Sequence, residues 1–388
     1  MKNYKEDLKK RLFIIFWFSI FCTSTAFSQG IIINHTCTKI SQIPESAILT
    51  AKKNLRIAYG HTSHGSQLTD GMNGLIAFMN GKGYTHNLYA WNKGGTGGAL
   101  DLHDYAMSGD VGYYPDWVNN TRRYLGNPDP VTGRGTGVNA GVNVIIWSWC
   151  GQVTSKHLTG KLFSEYIDPM VQLEMDYPGI RFVYMTGHLD HSQDAANKAA
   201  NQSIRNFCSA NQKVLYDFAD IESYDPDGKF YQFAGDDCSY YVSATGGLLG
   251  NWATEWQNSH PVNVDWYNCS SAHSKPLNAN QKAYAAWWLW ARLAGWNQGT
   301  SATDMKGIDK EVSVFPNPSD GKFTVTMSTG KITAIMIYNA LGTNVFSASG
   351  FRLFPRYEID LSDFEKGFYF LKIDCGNSIQ TKKILINQ

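Results

Sequence analysis

The stretch Val142-Asn143-Val144-Ile145-Ile146-Trp147 runs directly into Ser148-Trp149-Cys150-Gly151-Gln152. A nearly continuous apolar run of this length predicts a strand buried on both faces, as in a parallel sheet covered by helices. The polar residues after it lie at the carboxyl end of that strand, where open α/β sheets place their ligand sites. This stretch therefore indicates both the fold class and the place to look for chemistry.

Predicted strands and helices alternate on both sides of this stretch, which favours an α/β domain with a parallel sheet. The further predicted strands are 55–59, 88–91, 180–185 and 213–218, and the predicted helices are 67–80, 162–175, 195–210 and 278–293. The last helix contains Trp287, Trp288 and Trp290, which we expect to lie mostly in the core.

Polar side chains gather where the predicted strands end. Five of the 10 histidines lie in these loops and before the last helix: His61, His64, His188, His191 and His273. Because the carboxyl ends of parallel strands meet at one edge of a sheet, these residues predict a site there. The polar residues of these loops also have structural alternatives. Ser63 could cap the helix that follows it, and Asp190 could form a hydrogen-bonded polar turn with His188 and His191.

Composition excludes some partners. Lys+Arg number 34 against Asp+Glu 33, which leaves no positive excess for binding the phosphates of nucleic acid. Charged residues make up only 17% and aromatic residues 14%, a balance typical of secreted proteins that handle an uncharged polymer such as a glycan. We therefore expect no nucleic-acid partner.

The chain begins with basic residues, then has an apolar run at 12–22 and small residues at Ala26 and Ser28. This is the layout of a secretory signal peptide, predicted to cover 1–28. The run is too short to span a bilayer, and we expect no transmembrane segment. An exported chain permits disulfides, and Cys238 and Cys269, which flank a Gly- and Trp-rich excursion, are the predicted pair, although spacing does not determine pairing.

The composition changes near residue 300. All 12 Trp and all 10 His lie at or before Trp296, and 298–310 has the polar, Gly/Ser/Thr-containing composition of a linker. Seven short alternating strands are predicted after it, which indicates a small β-sandwich over 311–388. The strands are predicted at 312–315, 322–327, 334–338, 343–347, 357–360, 367–373 and 382–386.

This C-terminal region resembles the C-terminal sorting domain of the type IX secretion system. The motifs are Val314-Phe315-Pro316-Asn317-Pro318, Gly321-Lys322-Phe323, Ile337-Tyr338-Asn339, Gly367-Phe368-Tyr369 and a terminal Lys-Lys-Ile-Leu run. The resemblance implies a Bacteroidota source, passage across the outer membrane with the type IX machinery as partner, and release or anchoring at the cell surface. The alternative is an ordinary sandwich module that binds carbohydrate.

The region 29–297 is similar in layout to the SGNH (GDSL-like) hydrolases, which implies a flavodoxin-like parallel sheet. Carried over to this chain, Ser63 is the nucleophile, His273 the general base, Gly95 a backbone donor and Gln152 a side-chain donor to the oxyanion. The G-D-S block is absent and Ser270 stands where an Asp is expected. The third member of the triad is therefore open, with Asp265 and Asp190 as candidates.

These features predict a secreted serine hydrolase that removes acyl groups from glycans without a cofactor, its substrate an acylated saccharide. Further candidate substrate or oxyanion residues are His61, His64, His188 and Trp149. One alternative is a metal-dependent hydrolase or lyase, because histidine is the commonest metal ligand; its ligands would be His61, His64, His188 and His191. Another is a glycan-binding protein on the same scaffold without catalytic activity.

Overall fold

The computed structural model describes residues 30–297, 312–327, 332–339, 343–349, 356–374 and 379–387. The predicted signal peptide and linker lie outside these ranges. In the first range the strands are β1 (Ile32–Ile33), β2 (Arg56–Gly60), β3 (Trp91–Asn92), β4 (Leu100–His103), β5 (Val144–Trp147), β6 (Arg181–Met185) and β7 (Val214–Tyr216). The helices are α1 (Glu45–Asn54), α2 (Ser66–Gly81), α3 (Asp116–Leu125), α4 (Val153–Leu158), α5 (Asp168–Asp176), α6 (Asp194–Ala210), α7 (Phe218–Ile221), α8 (Trp252–Ser259) and α9 (Pro276–Leu293).

These seven strands form one sheet in the order β1-β7-β6-β5-β2-β4-β3, with every neighbouring pair parallel. Successive side chains of a strand point to opposite faces. Ile57 and Tyr59 accordingly join the core under α1, α2 and α9, whereas Ala58 joins the core under α3, α5 and α6. The molecule therefore has the predicted α/β class, with a parallel sheet between two helical layers.

Helix α9 closes one of these layers. It begins at Pro276, a residue suited to the first turn because its missing N–H has no partner there. Trp287, Trp288 and Trp290 are all buried, as expected for core residues.

The strand predicted at 88–91 is wrong. Leu88 and Tyr89 are buried in a turn, and only Trp91–Asn92 pairs, at the edge of the sheet. The neighbour of β2 on that side is β4, whose four residues alternate Leu with Asp and His. So short a strand, half of it polar, resembles a loop in sequence.

An excursion between α7 and α9 contains a two-stranded antiparallel hairpin, β8 (Ser239–Tyr241) and β9 (Leu248–Asn251). The predicted Cys238–Cys269 disulfide is wrong, since both residues are free thiols. The Cys238 side chain lies 3.2 Å from the Ser274 hydroxyl, whereas Cys269 accepts a hydrogen bond from the Asn280 amide. The two cysteines pack into different apolar clusters, which keeps them apart.

The C-terminal strands form two antiparallel sheets, in the orders β10-β11-β14 and β13-β12-β15-β16. Their bounds are β10 Val312–Phe315, β11 Lys322–Met327, β12 Ala334–Asn339, β13 Asn344–Ser349, β14 Arg356–Asp360, β15 Gly367–Asp374 and β16 Ile379–Ile386. Side chains of both sheets, such as Val325 and Ile337, share one core cluster. The predicted antiparallel β region is confirmed, and the structure has each of its seven strands close to the predicted bounds.

Candidate active site

The loop after β2 carries a histidine between a thiol and a carboxylate. The His64 Nδ1 atom lies 3.3 Å from Cys150 Sγ, and its Nε2 atom lies 3.0 Å from Asp236 Oδ2. His64 is buried, and Cys150 is partly exposed. A nucleophile, a base and a group that orients the base, each within hydrogen-bond reach of the next, is the arrangement of a catalytic triad.

Close packing at Gly65 positions this histidine. A Cβ atom at Gly65 would lie 2.4 Å from the His61 Cβ and 2.5 Å from the Ser148 hydroxyl oxygen, so only glycine fits. The turn Ser63–Gly65 therefore packs directly against the end of β5. This contact brings His64 to Cys150, which stands three residues beyond the last residue of β5.

The charges of the three groups favour an ion pair. The hydrogen bond from His64 lowers the pKa of Cys150 to about 6, against the opposing effect of burial. Burial disfavours a charged His64, but its hydrogen bonds to Asp236 and Cys150 prevail and raise its pKa to about 9. Burial likewise opposes a charged Asp236, yet the hydrogen bond from His64 leaves its pKa below the ordinary value. Near neutral pH, Cys150 is therefore a thiolate beside an imidazolium.

Gln152 supports the nucleophile from behind. Its Oε1 atom accepts a hydrogen bond of 3.0 Å from the Cys150 backbone N–H, and its Nε2 atom donates to Asp110 at 3.4 Å. Asp110 also accepts from the Gly112 N–H and the Thr62 hydroxyl. Burial raises the pKa of Asp110. The amide predicted to bind an oxyanion is thus engaged within the protein, where it orients Cys150.

Three histidine rings stack at the centre of the site. His188 lies against one face of His64, with centroids 3.8 Å apart, and His273 lies 4.3 Å from the His64 centroid. His188 Nδ1 bonds the Leu189 carbonyl at 2.6 Å, and its buried Nε2 has no hydrogen-bond partner in the described structure. Burial, followed by the charge of His64, lowers the pKa of His188, which keeps that ring neutral beside the His64 imidazolium.

A fully buried ion pair ties the loops of this stack to α9. The Lys282 ammonium lies 2.6 Å from Glu222 and 2.5 Å from the Gln67 side-chain oxygen, and burial lowers the pKa of Lys282. Glu222 accepts a hydrogen bond from the Leu189 N–H, next to His188. Gln67 donates one to the Ala272 carbonyl, next to His273. One lysine therefore braces both histidine loops.

The predicted serine triad is not assembled in the described structure. Ser63 Oγ lies 3.3 Å from Cys150 Sγ, not beside His273. Asp190 accepts from the Ser192 N–H and caps a turn, and Asp265 is an exposed turn residue whose N–H bonds Pro261. His273 instead covers His64.

Other predicted site residues lie elsewhere. The Gly95 N–H donates to the Asn92 carbonyl beyond the edge strand. Trp149 is buried, and its indole N–H donates to the Met185 carbonyl, so it is a core residue. His61 Nε2 bonds Asp104 at 2.7 Å, and His191 bonds the Ser243 carbonyl.

Of the predicted metal ligands, the structure brings only His64 and His188 together. Each offers one ligand atom, as does Asp236, and these atoms lie within 4.8 Å of one another in the described part of the chain. The His64 and His188 rings are nearly parallel, at 6°. A ring nitrogen binds a metal through a lone pair in the ring plane, so two stacked rings do not aim at one point. The observed side-chain positions therefore do not fit a shared metal.

Sequence reasoning missed two residues of the triad. Cys150 stands just beyond the central strand, a position that could have indicated it, but a cysteine of an exported chain first suggests a disulfide. Asp236 lies in the irregular excursion, 172 residues from His64, and no spacing rule connects the two.

An open cleft of about 800 Å³ adjoins the triad. It is lined by His61, Thr62, Ser63, Tyr105, Ala106, Met107, Ser108 and Gly109. The loop that follows β4 supplies most of these residues. Since the sequence predicts the second strand at 88–91 instead of at β4, it does not indicate that this loop lines the site. Ser63 belongs both to the cleft and to the surroundings of the Cys150 thiol.

Comparison with known proteins identifies the C-terminal part. Residues 313–387 match the model of the secretion system C-terminal sorting domain, which confirms the predicted type IX sorting domain. No curated protein matches the chain. In the described residues, no helix is both long and apolar enough to cross a bilayer. The sorting domain marks the protein for export, to the cell surface or beyond.

Three solved structures share a distant likeness with the chain. The FMN-binding β-glucuronidase from Facaelibacterium prausnitzii L2-6 is 8% identical, with 73% of this chain and 40% of that one covered and a TM-score of 0.25. The endo-β-1,4-mannanase from Thermotoga petrophila is 12% identical, with 63% of this chain and 47% of that one covered and a TM-score of 0.24. The putative β-galactosidase from Bacteroides fragilis is 11% identical, with 86% of this chain and 46% of that one covered and a TM-score of 0.24. The chain spans less than half of each, and TM-scores of this size support neither a shared fold nor a shared activity.

Proposed function

We propose that this exported protein is a hydrolase of acyl bonds that uses Cys150 as its nucleophile, His64 as general base and acid, and Asp236 to orient His64. The observation that carries the proposal is the continuous row Cys150–His64–Asp236, with spacings of 3.3 and 3.0 Å. The lowered pKa of Cys150 and its partial exposure supply a nucleophile that is charged and accessible at neutral pH.

The reaction needs no group from outside the chain except water. The Cys150 thiolate adds to the carbonyl carbon of an ester, and the His64 imidazolium protonates the departing alcohol oxygen, leaving a thioester on Sγ. Neutral His64 then takes a proton from water as the hydroxide adds to the thioester carbon. Release of the acid restores the thiolate and the imidazolium.

Ser63 has a different role in this mechanism from the nucleophile expected from sequence. Its exposed hydroxyl lies 3.3 Å from Sγ, close enough to donate a hydrogen bond to the oxygen that becomes negative as Sγ attacks. A donor of this kind is worth about 10²–10³ in rate.

The scaffold that we propose is of the SGNH type. Taking β2, β4, β5, β6 and β7 in chain order as strands 1 to 5, the central sheet has the order 2-1-3-4-5, which is that of flavodoxin-like sheets. Cys150 follows the third of these strands and the Ser63–His64 loop follows the first. The low charge and high aromatic content favour an acylated glycan as substrate.

Paired variants test the choice of nucleophile. With 4-nitrophenyl acetate as substrate, Cys150→Ala is expected to lose at least about 10³-fold in kcat/KM, whereas Ser63→Ala loses about 10²-fold. Cys208→Ala is the matched control, since that thiol is fully buried in the core and burial raises its pKa. Full activity in Cys150→Ala together with none in Ser63→Ala would establish the serine mechanism instead.

A metal-dependent hydrolase is the second candidate, because His64, His188 and Asp236 each offer a ligand atom within 4.8 Å of the others and His188 Nε2 lacks a partner in the described structure. Binding would require one of the two stacked imidazole rings to turn. Elemental analysis of the purified protein and assay after dialysis against EDTA separate the two mechanisms. The thiol mechanism predicts full activity after dialysis and complete loss with iodoacetamide. The reverse pair of results favours the metal.

A further inference from the structure

The open cleft beside Cys150 contains an aromatic ring in an unusual position. Tyr105 is 57% exposed, and its φ of 50° places it in the left-handed region, which a bulky residue rarely adopts. Strain of this kind persists where the surrounding structure imposes it, and it concentrates at ligand-binding sites.

The structure that holds Tyr105 in this conformation is a column of rings. Tyr105 lies 4.0 Å from the buried His61 ring, which lies 4.3 Å from the buried Tyr59 ring. Asp104 fixes His61 from the side through a hydrogen bond of 2.7 Å. Tyr105 is thus the outermost of the three rings, tilted by 39° to His61, and much of its side chain is accessible.

The rest of the cleft has few aliphatic side chains. Among the residues that line it, Ala106 and Met107 are the aliphatic ones, and Met107 is almost fully buried, so the cleft offers little aliphatic surface to a long acyl chain. Hydroxyls come from Thr62, Ser63 and Ser108. The Thr62 hydroxyl donates a hydrogen bond to Asp110, which leaves the Thr62 oxygen as an acceptor. An accessible aromatic face bordered by hydroxyl groups suits a sugar ring, which has apolar C–H faces and hydroxyls at its edge.

We propose that Tyr105 is the platform of a saccharide subsite, on which a sugar ring of the substrate stacks while its acyl group reaches Cys150 past Ser63. The inference rests on the proposed function and assigns the saccharide part of its substrate to a particular surface of the cleft. Tyr105 determines affinity for the sugar part and takes no part in bond breaking.

The binding experiment uses the full mature chain with Cys150→Ala, so that no turnover occurs. Acetylated xylotetraose is titrated calorimetrically into this protein and into versions that also carry Tyr105→Ala, Tyr105→Phe or Tyr113→Ala. Tyr113 is the matched control because it is similarly exposed, at 58%, and does not line the cleft. We expect Tyr105→Ala to weaken binding about tenfold or more, with less than a twofold change in the other two.

The kinetic experiment uses proteins with Cys150 intact. Tyr105→Ala is expected to raise KM for the acetylated oligosaccharide about tenfold and to change kcat/KM for the small substrate 4-nitrophenyl acetate much less. Equal effects on both substrates, unchanged oligosaccharide binding, or tighter binding of decanoate than of the sugar would overturn the subsite. The kinetic comparison does not depend on Cys150 being the nucleophile, and failure of that assignment appears separately as retained activity in Cys150→Ala.

Discussion

The loop after β2 carries two histidines, three residues apart, and each of them pairs with a carboxylate. His64 pairs with Asp236 at 3.0 Å and His61 pairs with Asp104 at 2.7 Å, and both imidazoles are buried. They differ in the second ring nitrogen. In His64 it meets the Cys150 thiol, whereas in His61 it meets the Thr62 carbonyl. In the proposed mechanism, the same two types of side chain therefore serve proton transfer in one place and support of a ring column in the other.

The largest expected effect comes from removing each imidazole in turn. His64→Ala removes the proton acceptor and the partner that holds the thiolate, so kcat/KM for 4-nitrophenyl acetate should fall about 10²–10⁴-fold. His61→Ala should change it less than about tenfold, because both His61 nitrogens are engaged in support. Equal losses in the two variants would mean that the pairs do not differ in role.

The next largest effect is expected in the pH dependence of kcat/KM. Because the pKa of Cys150 is lowered, its thiolate appears as pH rises through about 6; because the pKa of His64 is raised, its proton is lost as pH rises through about 9. We expect kcat/KM to rise and then fall with limbs near these values, which belong to the coupled pair. In Asp236→Asn the alkaline limb should move to lower pH. A profile with a single acid limb near pH 4 would argue for a different catalytic group.

The stability of the pair follows the same signs. The His64 contribution to the free energy of unfolding is present at low pH and is lost as pH rises through about 9, the folded pKa. The Cys150 contribution is present above the ordinary thiol pKa and is lost as pH falls through about 6. Thermal melts of Cys150→Ser between pH 5 and 10 should lose the Cys150 dependence and weaken that of His64, because the hydrogen bond to Asp236 still raises the pKa of His64. Melts of His61→Ala should keep both dependences.

The smallest effect is expected from Asp104→Asn. The amide can keep a hydrogen bond to His61, so the ring column should survive with a rise of about twofold in KM for an acetylated oligosaccharide. Hydrolysis of 4-nitrophenyl acetate should not change. The contrasting Asp236→Asn variant should lower kcat instead, and the division between KM and kcat would make the comparison of the two pairs quantitative.

Sequence patterns predicted much of this architecture because its elements are strongly periodic. The central strand at Val144–Trp147 and the long helix α9 have apolar patterns that local rules can read. Strand β4 was not predicted, because a strand of four residues, two of them polar, has too short an apolar pattern to be distinguished from a loop. The placement of polar residues at one sheet edge followed from the topology of parallel strands.

The identity of the triad could not be predicted in the same way. His64, Cys150 and Asp236 come from three loops, and Asp236 follows no strand of the parallel sheet. Which imidazole meets which acid depends on close contacts such as the one at Gly65, which composition and spacing do not reveal. The predicted nucleophile Ser63 does lie near the site, with its hydroxyl 3.3 Å from the Cys150 thiol, although the structure places no triad around Ser63.

The long sequence separations within the proposed triad have a consequence for when Cys150 becomes reactive. His64 and Cys150 are 86 residues apart, and His64 and Asp236 are 172 apart. Before the chain has folded, Cys150 is an ordinary thiol with a pKa of about 8.5, so only a small part is thiolate at neutral pH. Its reactivity is therefore acquired together with the native structure, and a newly made chain carries its nucleophile in a dormant form.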